Sequence, residues 1–142
     1  MAVIHDRTRL RSVHPFHAFF VAGMVPLFLG ALLCDWTYSG SAHIQWSNFA
    51  SWLIVGAMVL CGIALVFAIV DLVRVRGRDG RTLLQLLVVA ATFVLGFINA
   101  LVHGQDAWAI MPEAPWLSLL VFLLACVAAW LAFSGRRVGG VE

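Results

Sequence analysis

Charge is scarce in this sequence, and lysine is absent. Only 11% of the 142 residues are charged, and all nine basic residues are arginines. A soluble domain has about a quarter of its residues charged. This balance, together with a mean hydropathy of +0.98, therefore indicates a membrane protein. Little chain remains outside the apolar stretches, so there is no room for a separate soluble catalytic domain.

Motifs for covalent catalysis and for phosphate binding are also missing. The chain has no Gly-x-Ser-x-Gly turn, no Cys–His arrangement and no glycine-rich phosphate loop. Its three cysteines, Cys34, Cys61 and Cys126, have no paired spacing, so we expect neither a disulfide nor a cysteine-based metal site. The cysteines are interpreted as small packing residues, and an enzymatic activity is disfavoured.

Four long apolar stretches are present instead. They cover approximately residues 15–36, 48–73, 82–104 and 115–134. Each has about the length that a helix needs to cross ~30 Å of hydrocarbon. The sequence therefore predicts an all-α fold, a polytopic membrane four-helix bundle that forms a single domain over residues 1–142 and sits in a lipid bilayer.

The arginines mark one side of that bilayer. They precede the first stretch, fill the connection between the second and third, and follow the fourth, whereas the other two connections contain no arginine. By the positive-inside rule, both termini and the middle loop are predicted to be cytoplasmic. The clusters could instead bind anionic lipid or nucleic acid, but topology explains their distribution completely, so no nucleic-acid partner is predicted.

Retention of the first stretch as a helix is favoured over its cleavage as a signal peptide, because the apolar run exceeds a usual signal core.

A polar stripe lies at the outer end of the third stretch. Asn99, His103 and Asp106 are spaced i, i+4 and i+7, which places them on one face of a helix. Asp35, at the end of the first stretch, and His43, in the following loop, lie on the same side of the membrane. These side chains can be interpreted in two ways.

One interpretation is a ligand site, because imidazole and carboxylate groups suit zinc, copper, nickel or iron. The candidate metal ligands are His103, Asp106, Asp35 and His43. The candidates for contact with a cofactor such as haem b are His103, Asn99 and His43. The other interpretation is that the side chains pair with one another and that Asn99 hydrogen-bonds to a neighbouring helix. Packing is favoured, because no ligand motif of fixed spacing is present.

A second polar group lies on the cytoplasmic side. His14 and His17 are three residues apart at the start of the first stretch, and Asp71 closes the second, so these three form a predicted cytoplasmic polar cluster. At the helical rise the two polar groups are roughly 27 Å apart, too far for one haem to bridge. The stretches between them contain no charged residue or histidine, so small-solute transport ranks last among the functions considered.

Four elements of the sequence resemble a bacterial membrane family. They are His14-Pro15-x-His17, the span-closing Asp35 and Asp71, the segment Asn99-x-x-x-His103-x-x-Asp106-Ala107-Trp108, and the terminal Arg137-Val-Gly-Gly-Val141. Over nearly the whole chain they look like the family known as domain of unknown function twenty-two thirty-one. The resemblance implies a four-helix protein of the bacterial inner (cytoplasmic) membrane, in some members joined to or encoded near redox modules. Members often carry a further histidine before Phe-Pro in the first span, where this chain has Ala22, which cannot be a ligand.

Two functions are compatible with these observations. The first is a non-enzymatic structural or accessory subunit, which would use its small-residue faces to pack with itself or with a membrane-protein partner. The alternative is a membrane redox component that binds one haem, divalent metal or quinone at the periplasmic face through His103. The accessory role is favoured.

Overall fold

The computed structural model describes residues 15–74, 80–105 and 107–134. These residues form four α-helices, α1 (Pro15–Ser41), α2 (Ile44–Arg74), α3 (Gly80–His103) and α4 (Glu113–Ser134), with a short 3₁₀ turn at Ala107–Ile110. All four helices are long and apolar enough to cross a membrane. The predicted four-helix membrane fold is confirmed, whereas the side on which each helix end lies stays a prediction.

The helices follow one another around a square. Helix α1 packs against α2 and α4, and α3 packs against the same two helices, so α1 and α3 occupy diagonal corners. We call the end of the bundle at Ser41, Ile44, His103 and Glu113 the tryptophan end, because Trp36, Trp46, Trp108 and Trp116 lie near it. The opposite end, at Pro15, Arg74, Gly80 and Ser134, is called the arginine end.

Helix α1 extends past residue 36, where the sequence predicted its end, as far as Ser41. The hydroxyls of its last turn support the extension. Thr37 Oγ1 donates to Leu33 O at 2.8 Å, and Ser41 Oγ donates to Thr37 O at 2.7 Å. These bonds give the hydroxyl groups acceptors within the helix itself. Only residues 42 and 43 then remain between α1 and α2, so the two helices form a tight antiparallel hairpin.

The bundle interior is filled by a few large side chains of α1 against small residues of its neighbours. Met24 and Phe28 are buried beside a row of alanines from α2 and α4. Helix α3 approaches closely at Gly96, where an added Cβ would lie 2.6 Å from Met58 Sδ and 3.4 Å from Phe28 Cζ. Phe28 thus reaches the diagonal helix only because Gly96 has no side chain.

Other glycines serve contacts inside the same chain. A Cβ at Gly23 would meet the side chain of Leu60, and one at Gly30 would meet that of Leu53, both across the α1–α2 contact. The small residues of these faces therefore bring neighbouring helices of one bundle together. The surface left for lipid or a partner consists mainly of large apolar side chains.

Polar contacts tie α3 to α4 at the arginine end. The Arg81 guanidinium donates to Leu131 O at 3.4 Å and to Ser134 Oγ at 2.5 Å. One turn further in, Gln85 Nε2 donates to Ala128 O at 3.2 Å. These bonds satisfy carbonyls in the last turns of α4, where cationic and N–H groups are electrostatically favourable.

Candidate functional site

An aspartate and a histidine meet inside the bundle at the tryptophan end. Asp35 Oδ1 lies 2.8 Å from His103 Nε2, and the two side chains are 0% and 1% exposed. Asp35 is on α1 and His103 is the last residue of α3, so the pair joins the two diagonal helices across the middle of the square. The pair is thus a polar bond in a position that hydrophobic side chains fill elsewhere in the bundle.

Two further side chains extend the pair into a network. Ser118 Oγ, on α4, donates to Asp35 Oδ2 at 2.5 Å and accepts from Asn99 Nδ2 at 3.0 Å. Asn99 lies one turn before His103 on α3, and its backbone oxygen is 2.9 Å from His103 Nδ1. We call Asp35, Asn99, His103 and Ser118 the buried network. It links three of the four helices at one level.

The hydrogen-bond partners determine how many protons the network holds. A backbone carbonyl can only accept, so Nδ1 of His103 must carry a hydrogen to bond Asn99 O. Both Asp35 oxygens are used as well, one by Ser118 and one by His103 Nε2. One proton is therefore shared along the Nε2–Oδ1 contact. With the proton on His103 the pair is an ion pair, and with the proton on Asp35 both groups are neutral.

The arrangement does not activate a nucleophile. Ser118 donates its hydroxyl hydrogen to Asp35 and makes no hydrogen bond to His103. In a nucleophilic triad the histidine takes the serine proton and the carboxylate orients the histidine. Here the carboxylate lies between the serine and the histidine, so the order of the three groups is wrong for acyl transfer.

The predicted haem or metal site is not supported by this geometry, because both ring nitrogens of His103 face oxygen atoms of the protein. A metal ion or haem iron would need one of these nitrogens as a free lone pair. His43, which was predicted to join the site, is exposed in the α1–α2 connection instead. Asp106 lies outside the described residues. Within the part of the chain that the structure describes, no three His, Cys, Asp or Glu side chains are grouped to hold a metal ion.

Comparison with known proteins places the chain in a family. The model of the family described as Predicted membrane protein (DUF2231) matches residues 13–139. The chain belongs to this family. No curated protein and no solved structure matches it. The part of the chain that the DUF2231 model matches includes all four residues of the buried network.

At the arginine end of this DUF2231 protein, a second histidine and aspartate approach each other. Nδ1 of the buried His17, on α1, lies 3.6 Å from Oδ2 of Asp71, near the end of α2. This distance is within ion-pair range and longer than a normal hydrogen bond. The His17 ring also lies beside Phe67, with ring centroids 6.4 Å apart. The structure thus brings together two of the three residues predicted for this cluster, and the third, His14, lies outside the described residues.

Sequence reasoning did not find Ser118, which is the hub of the buried network in this DUF2231 chain. It is the only hydroxyl residue between the ends of α4, and its depth in the bilayer, counted from the tryptophan end, is close to that of Asn99. An isolated serine in a helix of leucine, alanine and valine is the signal that could have identified it. Such a residue needs a hydrogen-bond partner when it faces a bundle interior.

A cavity of about 280 Å³ opens near the network. It is lined by Trp36, Ser39, Trp108, Met111, Pro112, Pro115 and Trp116. Trp36 follows Asp35 directly, and the Trp108 ring packs edge-on against Tyr38, with ring centroids 5.6 Å apart. The lining is apolar apart from Ser39, and tryptophans of this kind are typical of the level of lipid headgroups.

Proposed function

We propose that this protein is a non-enzymatic accessory subunit of the bacterial inner membrane, with its arginine end in the cytoplasm, which packs with itself or with a membrane-protein partner. The observation that carries this proposal is that Asp35 and His103 are fully hydrogen-bonded within the buried network. Asp35 and His103, ionisable groups inside the membrane-spanning region, use their polar atoms on each other, on Ser118 and on Asn99 O. This arrangement binds helices together and leaves no reactive atom for a substrate.

Transport is disfavoured by the same geometry. A proton or ion pathway needs ionisable or polar groups at successive depths. Between the network and the His17–Asp71 contact, the helices contain no charged residue or histidine. Thr92, the buried polar residue of α3 nearest the middle, donates to Val88 O of its own helix. The two ends are therefore not joined by a polar path through these residues.

The outward face of α2 is the surface that we assign to a partner helix. Exposed large apolar side chains recur on it at intervals of three, four and seven residues: Trp52, Val55, Val59, Val66, Ile69 and Val73. A repeat of seven residues with branched side chains suits packing of two helices at a small crossing angle. Branched side chains also lose little conformational freedom when they are packed.

A disulfide cross-linking experiment tests the partner surface. Single cysteines at Val59 and Val66 are introduced into a chain whose own three cysteines are replaced by alanine. A matched control is Leu123→Cys on α4, since Leu123 and Val59 are 50% and 57% exposed. Oxidation in native membranes should give a covalent dimer, or an adduct with one membrane protein, from the α2 positions and not from the control. Equal yields at all three positions, or no adduct at any of them, would contradict the proposed surface.

Spectroscopy of the purified protein separates the accessory role from the redox alternative. The accessory role predicts no visible absorption band and no stoichiometric metal in protein prepared from native membranes. A Soret band or bound metal that disappears in His103→Ala would overturn it.

Orientation is tested by thiol labelling of intact cells. Gly40 and Gly80 are exposed near opposite ends of the bundle, and an added Cβ has no neighbour within 4 Å at either position. In a cysteine-free chain, an impermeant maleimide should label Gly40→Cys and leave Gly80→Cys unlabelled until the membrane is broken. The reverse pattern would place the arginine end outside.

A further inference from the structure

We propose that the cavity at the tryptophan end binds the quaternary ammonium group of a small soluble cation, such as choline, on the indole rings of Trp36, Trp108 and Trp116. This proposal does not depend on the accessory function. It rests on the convergence of three indole rings on one cavity, on the size and polarity of that cavity, and on the charge of this end of the chain.

Three of the six tryptophans line the same cavity. Trp36 lies near the end of α1, Trp108 in the 3₁₀ turn and Trp116 in the first turn of α4, so three separate segments bring their rings together. The three side chains are 59%, 53% and 64% exposed, so each ring keeps uncovered surface for a ligand. Among the aromatic side chains, tryptophan attracts a cation most strongly when the cation lies within about 6 Å of the ring.

The convergence of these rings exceeds what an aromatic belt requires. Such a belt needs only that tryptophans lie at the level of the headgroups, in any arrangement around the bundle. Trp46 shows this simpler arrangement. It lies at the same end on α2, its ring pairs with Phe49 of its own helix at a centroid distance of 6.1 Å, and it does not line the cavity. Trp46 is therefore a natural control for the three cavity tryptophans.

One wall of the cavity is held by buried side chains. The Trp108 ring packs against Tyr38, which is 2% exposed, with ring centroids 5.6 Å apart. Met111, another residue of the lining, packs against the buried cluster of Tyr38, Ile110 and Ala114. Because this wall is in place before a ligand arrives, little conformational freedom is lost on binding.

The volume and the lining select a small cation without N–H groups. Sites for drug-sized ligands measure about 300–1,000 Å³. This cavity is smaller, at about 280 Å³, and suits a group of a few atoms. Ser39 is the one hydroxyl residue of the lining, and its hydrogen is donated to Trp36 O at 2.7 Å. A primary ammonium has three donors to satisfy and finds few acceptors in such a lining, whereas a quaternary ammonium has none and binds aromatic faces.

The charge of this end favours a cation that has no anionic group. The sequence contains no arginine or lysine in residues 12–73 or 82–135, so a phosphate or carboxylate has no such partner there. Glu113 is exposed and directly follows Pro112, a residue of the lining. At a separation below the Debye length of about 8–10 Å, its carboxylate attracts a cation and repels an anion. These observations favour choline over the phosphocholine group of a lipid.

The test is equilibrium dialysis of radiolabelled choline against the full-length protein. The protein is kept in dodecyl maltoside, a detergent without an ammonium group, at about pH 8, where histidine is neutral. One site per chain should saturate in the millimolar range or below. A failure to saturate below about 20 mM would overturn the proposal.

Three competitors define the chemistry of the site. Tetramethylammonium should displace choline, and 3,3-dimethylbutanol, in which carbon replaces the nitrogen, should do so at least about tenfold less well. Ethanolamine, with a strongly hydrated primary ammonium, should also compete less well. Equal displacement by the neutral alcohol would show that only apolar surface is recognised, and equal displacement by ethanolamine would show that only charge is. Either result would refute a quaternary ammonium site.

Tryptophan variants connect binding to the cavity. Trp36→Leu and Trp116→Leu should each weaken choline binding by about 2- to 30-fold, because each removes one ring. Trp116→Phe keeps a ring and should lose less than Trp116→Leu. Trp46→Leu should bind like the parent protein. An unchanged affinity in Trp36→Leu and Trp116→Leu, or an equal loss in Trp46→Leu, would contradict the assignment.

If the leucine variants do not fold, saturation-transfer NMR of the parent protein replaces them. Irradiation of the aromatic protons should reduce the methyl signal of choline, and an excess of tetramethylammonium should restore it. Absence of transfer would show that choline does not lie against the rings.

Lipid nanodiscs separate a soluble cation from a lipid headgroup. Choline binding is compared in discs of phosphatidylglycerol that contain an equal fraction of either phosphatidylethanolamine or phosphatidylcholine, so the surface charge is the same in both. The proposal predicts equal binding. Loss of choline binding only in the discs with phosphatidylcholine would assign the cavity to a lipid headgroup and overturn its assignment to a soluble cation.

Discussion

His103 Nε2 lies 2.8 Å from Asp35 Oδ1, and this contact joins α1 and α3, which occupy diagonal corners of the bundle. Adjacent helices are held by continuous packing of small and large apolar residues, whereas α1 and α3 meet only along the bundle centre. A polar bond at that place is directional, so it determines the rotation of both helices as well as their separation. The stability of the tryptophan end should therefore depend on the pair more than on any single apolar contact nearby.

Removal of one partner of the pair should be far more damaging than removal of both. Asp35→Ala or His103→Ala leaves a buried polar or charged group without its partner, which costs about 3–5 kcal/mol. Replacement of both residues by leucine removes the two groups together and should cost much less. The measurement is the free energy of unfolding in a denaturing detergent titration of all four proteins. If the double replacement lost as much free energy of unfolding as the two single replacements added together, the coupling between Asp35 and His103 would be contradicted.

Ser118→Ala should destabilise the protein although it removes a single oxygen atom. Asp35 Oδ2 then loses a donor and Asn99 Nδ2 loses an acceptor, and each buried group left unsatisfied costs about 1–3 kcal/mol. The matched control is Ser51→Ala on α2, because Ser51 Oγ donates only to Ser47 O of its own helix at 2.9 Å. Thermal unfolding should show a clear loss for Ser118→Ala and little change for Ser51→Ala. Equal effects would mean that the network is not a stability element.

Much of this arrangement could be read from the sequence, and the exceptions have physical causes. The apolar stretches predicted four helices, and the spacing of Asn99 and His103 placed both on one face. Asp35 ends a stretch on the same side of the membrane, so its proximity to His103 could be predicted. The rotation of α4 about its axis is not marked by hydropathy, because that helix is apolar all round, and Ser118, the only hydroxyl residue between its ends, is the one polar signal for its inward face.

His43 was expected near His103 because a longer loop was expected before the second helix. Helix α1 continues to Ser41 instead, with the Thr37 and Ser41 hydroxyls bonded to carbonyls of the helix itself, and the two-residue turn carries His43 outside the bundle. Short-range side-chain-to-backbone bonds of this kind compete with other turn conformations by small energies. Such small differences are not visible in hydropathy, which explains why the end of α1 was predicted too early.

Gly96→Ala should destabilise the bundle, since the new Cβ would lie 2.6 Å from Met58 Sδ and 3.4 Å from Phe28 Cζ. The flexible Met58 side chain can move, but Phe28 is buried and cannot, so we expect a loss of about 1–3 kcal/mol. Gly56→Ala is the control, because its Cβ would lie 3.5 Å from Leu27 Cδ1, an ordinary contact. Detergent unfolding of both variants measures the difference. Gly96→Ala should lower the free energy of unfolding by less in a Met58→Ala protein than in the parent protein. An equal loss in both backgrounds would assign the clash to Phe28 alone.

The turn between α1 and α2 contains a residue whose replacement should stabilise the protein. Ala42 has a φ of 54°, in the left-handed region, and its N–H donates to Tyr38 O at 2.9 Å to close the end of α1. A Cβ in this conformation costs about 1–2 kcal/mol, and glycine avoids that cost while it keeps the backbone hydrogen bond. Ala42→Gly should therefore raise the unfolding temperature. Ala90→Gly, inside α3, should lower it, because glycine in a helix interior costs about 0.5–1 kcal/mol. If both substitutions lowered the unfolding temperature equally, the strain at Ala42 would be refuted, and the closing of α1 would have to depend on the hydroxyl bonds of Thr37 and Ser41 instead.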